Sequence, residues 1–326
     1  MVRARIIGTG QHLPEKVLTN LDLEKMMDTT DEWIRQRTGI KQRYVAANGQ
    51  GASDLGGPAA ARAIEAAGID PKEIDLIICC TTTPDYLFPA SACLIQHQVG
   101  ATKAAAYDVN AACSGFVCGL TTANAYIQAG IYKTIVIVGT EVVTSRLNWK
   151  KRDTAVLFGD GAGAVVVRAE NGDHGILSTF LGADGGSGDL LILPGGGSRN
   201  VVTKENVDTG VHDISMKGPE LFKKAVVVFG EAVQQALTAT GLAINDIDVF
   251  IPHQANTRII YAAADRIGLP QEKVFLNIDR VANTTAASIP IAIDDAVTQG
   301  RIRSGSIVLL AAFGAGITWG SIMLRW

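Results

Sequence analysis

The feature that most constrains this chain is that it repeats itself. The segment AIEAAGIDPKEIDLII, beginning at Ala63, is matched by ALTATGLAINDIDVFI, beginning at Ala236, at a constant spacing of 173 residues. Gly68 then corresponds to Gly241, Ile74 to Ile247 and Asp75 to Asp248. Each copy reads as a helix end, a glycine stop, a short loop and a buried strand. A second pair follows in the same order: Gly130 leads to TIVIVGTE and Gly300 to SIVLLAAFG, now at a spacing of 170. Helices alternating with β-branched strands in two copies predict an α/β fold of two similar halves, residues 1–172 and 173–326. The Gly- and Ser-rich stretch between about Glu170 and Gly210 reads as the connector.

Composition adds limits. A chain of 326 residues with 47% hydrophobic and 19% charged residues can bury a large interior or a broad subunit interface, which makes a homo-oligomer plausible. A net charge of −3 provides no basic field for nucleic acid. No apolar run is long enough for a membrane span and the start has no leader pattern, so a cytoplasmic protein is expected. The five cysteines Cys79, Cys80, Cys93, Cys113 and Cys118 form no CxxC pair and no zinc-type spacing, so neither disulfides nor a metal are expected.

Most free cysteines are small core residues, and Cys79, Cys80 and Cys118 are expected to be such. Cys113 differs in position. The spacing of 170 pairs it with Asn283, each opening a helix, and His253 directly follows the strand IDVFIP. Ligands of α/β folds bind at such strand-to-helix junctions. A thiol at a helix start is expected to have a lowered pKa. Histidine and asparagine at such places are ordinary helix caps when they stand alone. Together with a thiol they supply what nucleophilic thiol catalysis needs, a nucleophile and donors for an oxyanion.

The motifs DVNAACSGF, VFIPHQANTRII, NTTAASIP, VLFGDGAGAVVV and AAFGAGITWG resemble those of β-ketoacyl-acyl-carrier-protein synthase III, the initiating condensing enzymes of the thiolase superfamily. The resemblance spans essentially the whole chain. It implies a thiolase fold, a five-layer α-β-α-β-α sandwich of duplicated halves, acting as a homodimer without a cofactor. It also implies a reaction: an acyl-CoA primer, most simply acetyl-CoA, is transferred to Cys113 and condensed with malonyl-acyl-carrier protein. His253 and Asn283 would stabilise the enolate, and the backbone N–H groups of Cys113 and Ala315 would form a second oxyanion hole. By the same resemblance Trp33, Arg37 and Arg152 would hold the CoA nucleotide, and Asn256 the pantetheine arm. Phe88 would close the partner's acyl pocket, and Gln254, Arg258 and Lys223 would dock the carrier protein.

Some positions depart from the family pattern. Val281-Ala282 stands where Tyr-Gly is common, and Lys217 and Asp265 differ in expected charge. A degradative thiolase would need a second cysteine in AAFGAGITWG, which has none, and elongating synthases use two histidines. Two alternatives stay open: a relative using a longer or aryl primer in secondary metabolism, and a non-catalytic acyl-CoA sensor.

Overall fold

The computed structural model describes residues 2–326. Two sheets carry the molecule. The first contains, from edge to edge, Val2–His12, Gly161–Asn171, Thr134–Glu141, Leu76–Cys80 and Ala105–Val109. The second contains Gly175–Ala183, Thr318–Arg325, Ile307–Gly314 and Val249–Pro252, and a parallel bridge from Phe250 to Val274 continues it. Strand order and direction agree between the sheets. Leu76 pairs in parallel with Ile135, and their repeat partners Val249 and Val308 do the same.

The repeat is also visible in hydrogen bonds. Asp75 accepts from the backbone N–H of Thr134 at 3.0 Å, and Asp248 accepts from that of Ile307 at 2.8 Å. In each half one carboxylate therefore ties the start of one central strand to its neighbour.

Alternation along the strands sorts side chains into layers. Leu76, Ile78, Val249 and Ile251 point into a central core that also takes Phe116, Leu120, Ile289 and Ile293 from the helices Gly115–Gln128 and Ser288–Thr298. Ile77 and Cys79 point outward, beneath the helix Ala52–Ala67. Phe250 and Leu309 point outward beneath Gly218–Thr240. The result is helix, sheet, two inner helices, sheet, helix: the five-layer sandwich of a thiolase fold. Among the described residues, no helix is long and apolar enough to cross a membrane.

The second inner helix lies against the first sheet with almost no clearance. A Cβ on Gly139 would come within 2.4 Å of the Ala286 carbonyl oxygen, and one on Gly163 within 2.5 Å of the Ile291 nitrogen. Only glycine allows this approach of strand to helix.

One expectation needs correction. The 3-10 turns that open the inner helices are Ala112–Ser114 and Thr285–Ala287, and both first residues have positive φ, 47° and 46°. The spacing of 173 therefore holds here too, and Cys113 is matched by Ala286, not by Asn283. The spacing of 170 at Gly130 and Gly300 arises because the first inner helix has 14 residues and the second only 11. Asn283 belongs to the loop ahead of the second turn. The two residues meet because the helix starts face each other, not because they are repeat equivalents.

Candidate active site

Cys113 stands in a turn clamped from both halves of the chain. Ser114 Oγ donates to the Ala111 carbonyl at 2.7 Å and lies 2.6 Å from Thr318 Oγ1, which itself donates to the Ala111 carbonyl at 3.2 Å. Gly314 presses on the same turn, where a Cβ would come within 2.6 Å of the Cys113 nitrogen. As the second residue of its turn, Cys113 has a backbone N–H without an intrahelical acceptor. Ala315 lines the same cavity as Cys113, so the structure brings together the two residues expected to form the backbone oxyanion hole.

The thiol is 5% exposed, and burial pushes its pKa up to about 12, with the charge of Glu141 acting in the same direction. Burial thus outweighs the helix start that was expected to lower it. Glu141 has no signal in the sequence. It is fully buried, and it is held by the Thr82 backbone N–H at 3.1 Å, Thr82 Oγ1 at 3.0 Å and Thr83 Oγ1 at 2.7 Å. Of the remaining cysteines, Cys79 and Cys80 are core residues, Cys118 is half-buried and Cys93 is exposed.

His253 is buried, and desolvation lowers its pKa to about 3, so the imidazole is neutral at physiological pH. Its Nδ1 lies 2.7 Å from Ser288 Oγ. That hydroxyl has no other partner among the described residues and can donate to Nδ1; in that tautomer Nε2 carries the proton. Ser288 is a second residue that sequence reading missed; being the first residue of an inner helix, it gave no sign of facing a histidine.

Asn283 is oriented by its own loop. Its Oδ1 accepts from the Thr285 backbone N–H at 2.9 Å, so the amide N–H groups point the other way. Its backbone joins the segment Leu157–Gly159 through two 3.0 Å hydrogen bonds. Ala282, just before it, has φ 59° and ψ −161°, a region nearly reserved for glycine.

Two cavities meet at Cys113. One, of about 530 Å³, is lined by Trp33, Arg37, Arg152, Asn256, Arg258, His253, Asn283 and Cys113, and so joins all four residues expected to contact CoA to the three expected to do chemistry. The other, of about 810 Å³, continues past Cys113 along Thr82–Leu87 and Leu191–Leu193. In the first, the guanidinium carbons of Arg37 and Arg152 lie 4.7 and 4.4 Å from the Trp33 ring centroid, a cation–π arrangement that an entering flat base would share. Asn256 caps the helix Thr257–Ile267 through the Arg258 N–H and donates to the Arg37 carbonyl, so it also locates Arg37.

Arg258 and Lys223 are exposed, Arg258 at the cavity and Lys223 on the helix Gly218–Thr240. Gln254 is not on this surface. It is fully buried, with its amide bonded to Pro252, Phe275 and Asn277, and so cannot dock a carrier protein. Phe88 is 87% exposed beside equally exposed Leu87. Among the described residues, no three His, Cys, Asp or Glu side chains gather as a metal site.

A buried thiol that lines one cavity with a neutral histidine and an oriented amide, in a duplicated α/β sandwich, defines a thiolase-fold condensing acyltransferase. Family models for 3-oxoacyl-[acyl-carrier-protein] synthase III match at residues 107–185 and, for its C-terminal part, at 237–326. A β-ketoacyl-[acyl-carrier-protein] synthase III of Caldanaerobacter subterraneus subsp. tengcongensis is 49% identical over all of this chain and 98% of its own. The crystal structure of the synthase III from Aquifex aeolicus is 43% identical, covers 99% of this chain and 100% of its own, and has a TM-score of 0.92. A priming β-ketosynthase from the R1128 polyketide biosynthetic pathway is 33% identical, with coverage of 99% and 96% and a TM-score of 0.91. The chain belongs to the β-ketoacyl-acyl-carrier-protein synthase III family, whose members initiate condensation in fatty acid synthesis.

Two expectations follow from this geometry. Alkylation of Cys113 by iodoacetamide, read by mass spectrometry, should rise about tenfold per pH unit from pH 7 to 10, because the thiolate fraction grows until pH passes the raised pKa; a plateau near neutrality would mean that the helix start dominates. Ala282→Gly should leave the melting temperature unchanged or raise it, since relief of about 1–3 kcal/mol of backbone strain offsets the lost methyl group. Ala292→Gly, equally buried but inside a regular helix, should cost about 1 kcal/mol in the same thermal scan.

Proposed function

We propose that the enzyme condenses an acyl-CoA primer, most simply acetyl-CoA, with malonyl-acyl-carrier protein to give a 3-oxoacyl-acyl-carrier protein, CoA and carbon dioxide. The observation that carries this reading is that Cys113, His253 and Asn283 line one cavity that also contains the Trp33–Arg37–Arg152 cluster. The half 1–172 contributes the nucleophile and the half 173–326 contributes both donors.

In the first half-reaction, Cys113 sulfur bonds to the thioester carbon, the backbone N–H groups of Cys113 and Ala315 hold the oxyanion, and CoA leaves with the thiol proton. In the second, the malonyl C–C bond breaks and its electron pair becomes an enolate. Nε2–H of His253 and the amide of Asn283 stabilise that charge without supplying a proton to carbon, since neither is acidic at neutral pH. The enolate carbon then bonds to the acyl carbon and Cys113 is expelled as thiolate. A CoA base packed on Trp33 between guanidinium groups, with pantetheine running past Asn256, fits the first cavity.

A homodimer in which Phe88 closes the partner's acyl cavity is supported by the exposed run Tyr86-Leu87-Phe88, whose first two residues line the corresponding cavity of their own chain. A cytoplasmic setting belongs to the same reading. The second reading, a longer or aryl primer, is favoured by the 810 Å³ of the acyl cavity and by similarity to a polyketide priming enzyme.

Incubation with acetyl-CoA should leave an acetyl group on Cys113 by mass spectrometry and none on Cys113→Ala. His253→Ala and Asn283→Ala should retain that adduct but lose malonyl decarboxylation about 10²–10³-fold; equal loss of both half-reactions would refute the division of labour. Arg258→Glu should raise KM for the carrier-protein substrate about tenfold and leave KM for acyl-CoA within about twofold, because rim charges steer acidic partners. Unchanged carrier kinetics would exclude docking at Arg258.

A further inference from the structure

We infer that Gln254 is a positioning residue that sets the spacing of His253 and Asn283, an inference that rests on the condensation reading above. Its side chain is fully buried and completely used. The amide nitrogen donates to the Pro252 carbonyl at 2.8 Å and the Phe275 carbonyl at 3.2 Å, and the amide oxygen accepts from the Asn277 backbone N–H at 3.1 Å. Pro252 immediately precedes His253. Asn277 begins the short stretch that runs through the single helical turn Ile278–Val281 to Ala282 and Asn283. One side chain therefore brackets the two loops that present the enolate donors.

The bracket is anchored further out. Asn277 Nδ2 donates to Asp295 Oδ2 at 2.7 Å, Gln11 Nε2 donates to Asp295 Oδ1 at 2.7 Å, and Arg280 pairs with the same carboxylate. The carbonyl of Asn277 accepts from the N–H groups of Arg280 and Val281, so the turn leading to Asn283 hangs from a fixed point. This rigidity has a reason. Ala282 is held in a glycine-like conformation, and such strain persists only where the surroundings over-determine the backbone. Without the bracket, the Asn283 loop can relax.

The residue type follows from the three partners. Two carbonyls need donors and one N–H needs an acceptor, which a primary amide satisfies with one group. Glutamate would set a carboxylate against the carbonyls, and methionine, of similar length, would leave three buried backbone groups without partners.

The test separates positioning from mere stability. In Gln254→Met, assayed as the full-length protein, malonyl decarboxylation should fall about 10- to 100-fold, as expected for donors displaced by a fraction of an ångström to 1 Å. Acetyl transfer to Cys113 should stay within about twofold. Asp295→Asn, which weakens the anchor from the far side, should shift the ratio of the two half-reactions in the same direction and decides the matter if Gln254→Met does not fold. If both half-reactions fall together, or neither changes, in the folded variant, the inference is overturned. Failure of the unsubstituted protein to form an acetyl adduct would instead overturn the condensation reading, so the two failures are distinguishable.

Discussion

The constraint on which everything else depends is the burial of two helix starts, Ala112–Ser114 and Thr285–Ala287, face to face between two sheets. The second inner helix must lie on the first sheet so closely that Gly139 and Gly163 cannot have a Cβ. Gly115 faces Ala286, where a Cβ would come within 3.5 Å of the alanine's own. Small residues at these points let the helix starts approach, and the approach brings Cys113 into one cavity with His253 and Asn283. The strand end at Gly314 and the Thr318 hydroxyl then fix the Cys113 turn from the second half.

Burial also sets the charge states. His253 is neutral because desolvation disfavours the imidazolium, and Cys113 rests as a thiol for the same reason. Glu141 adds a carboxylate beneath the loop Thr81–Thr83, where three hydrogen bonds from Thr82 and Thr83 satisfy it. In the proposed condensation, a neutral donor pair suits an enolate that must attack carbon and must not be protonated. The same low-dielectric interior makes unpaired polar groups costly, which is why Gln254, Asn277 and Asp295 form a connected set.

Much of the fold was legible in the chain. The 173-residue repeat forecast two sheets of like order, and Asp75 and Asp248 have matching partners. Local chemistry was legible as the placement of a thiol at a helix start and of a histidine after a strand, although burial reversed the pKa direction expected for that thiol. It failed where a side chain's role depends on what faces it. Gln254, within HQAN, was expected on the docking surface, yet it points inward because the strand Val249–Pro252 ends beneath the segment Phe275–Asn277. The pairing of Cys113 with Asn283 was reached by a spacing that belongs only to the helix ends.

By itself, then, the sequence determined the duplicated architecture, the candidate reactive groups and the family, because these rest on periodicity and on residue types in colinear motifs. Only the tertiary structure decided that Cys113 is a buried thiol near Glu141, that Ser288 orients His253, and that Gln254 joins the loops of His253 and Asn283. Each of these is a contact or a degree of burial between segments distant in the chain. Such properties arise from the packing of one half against the other, and no local pattern of residues encodes them.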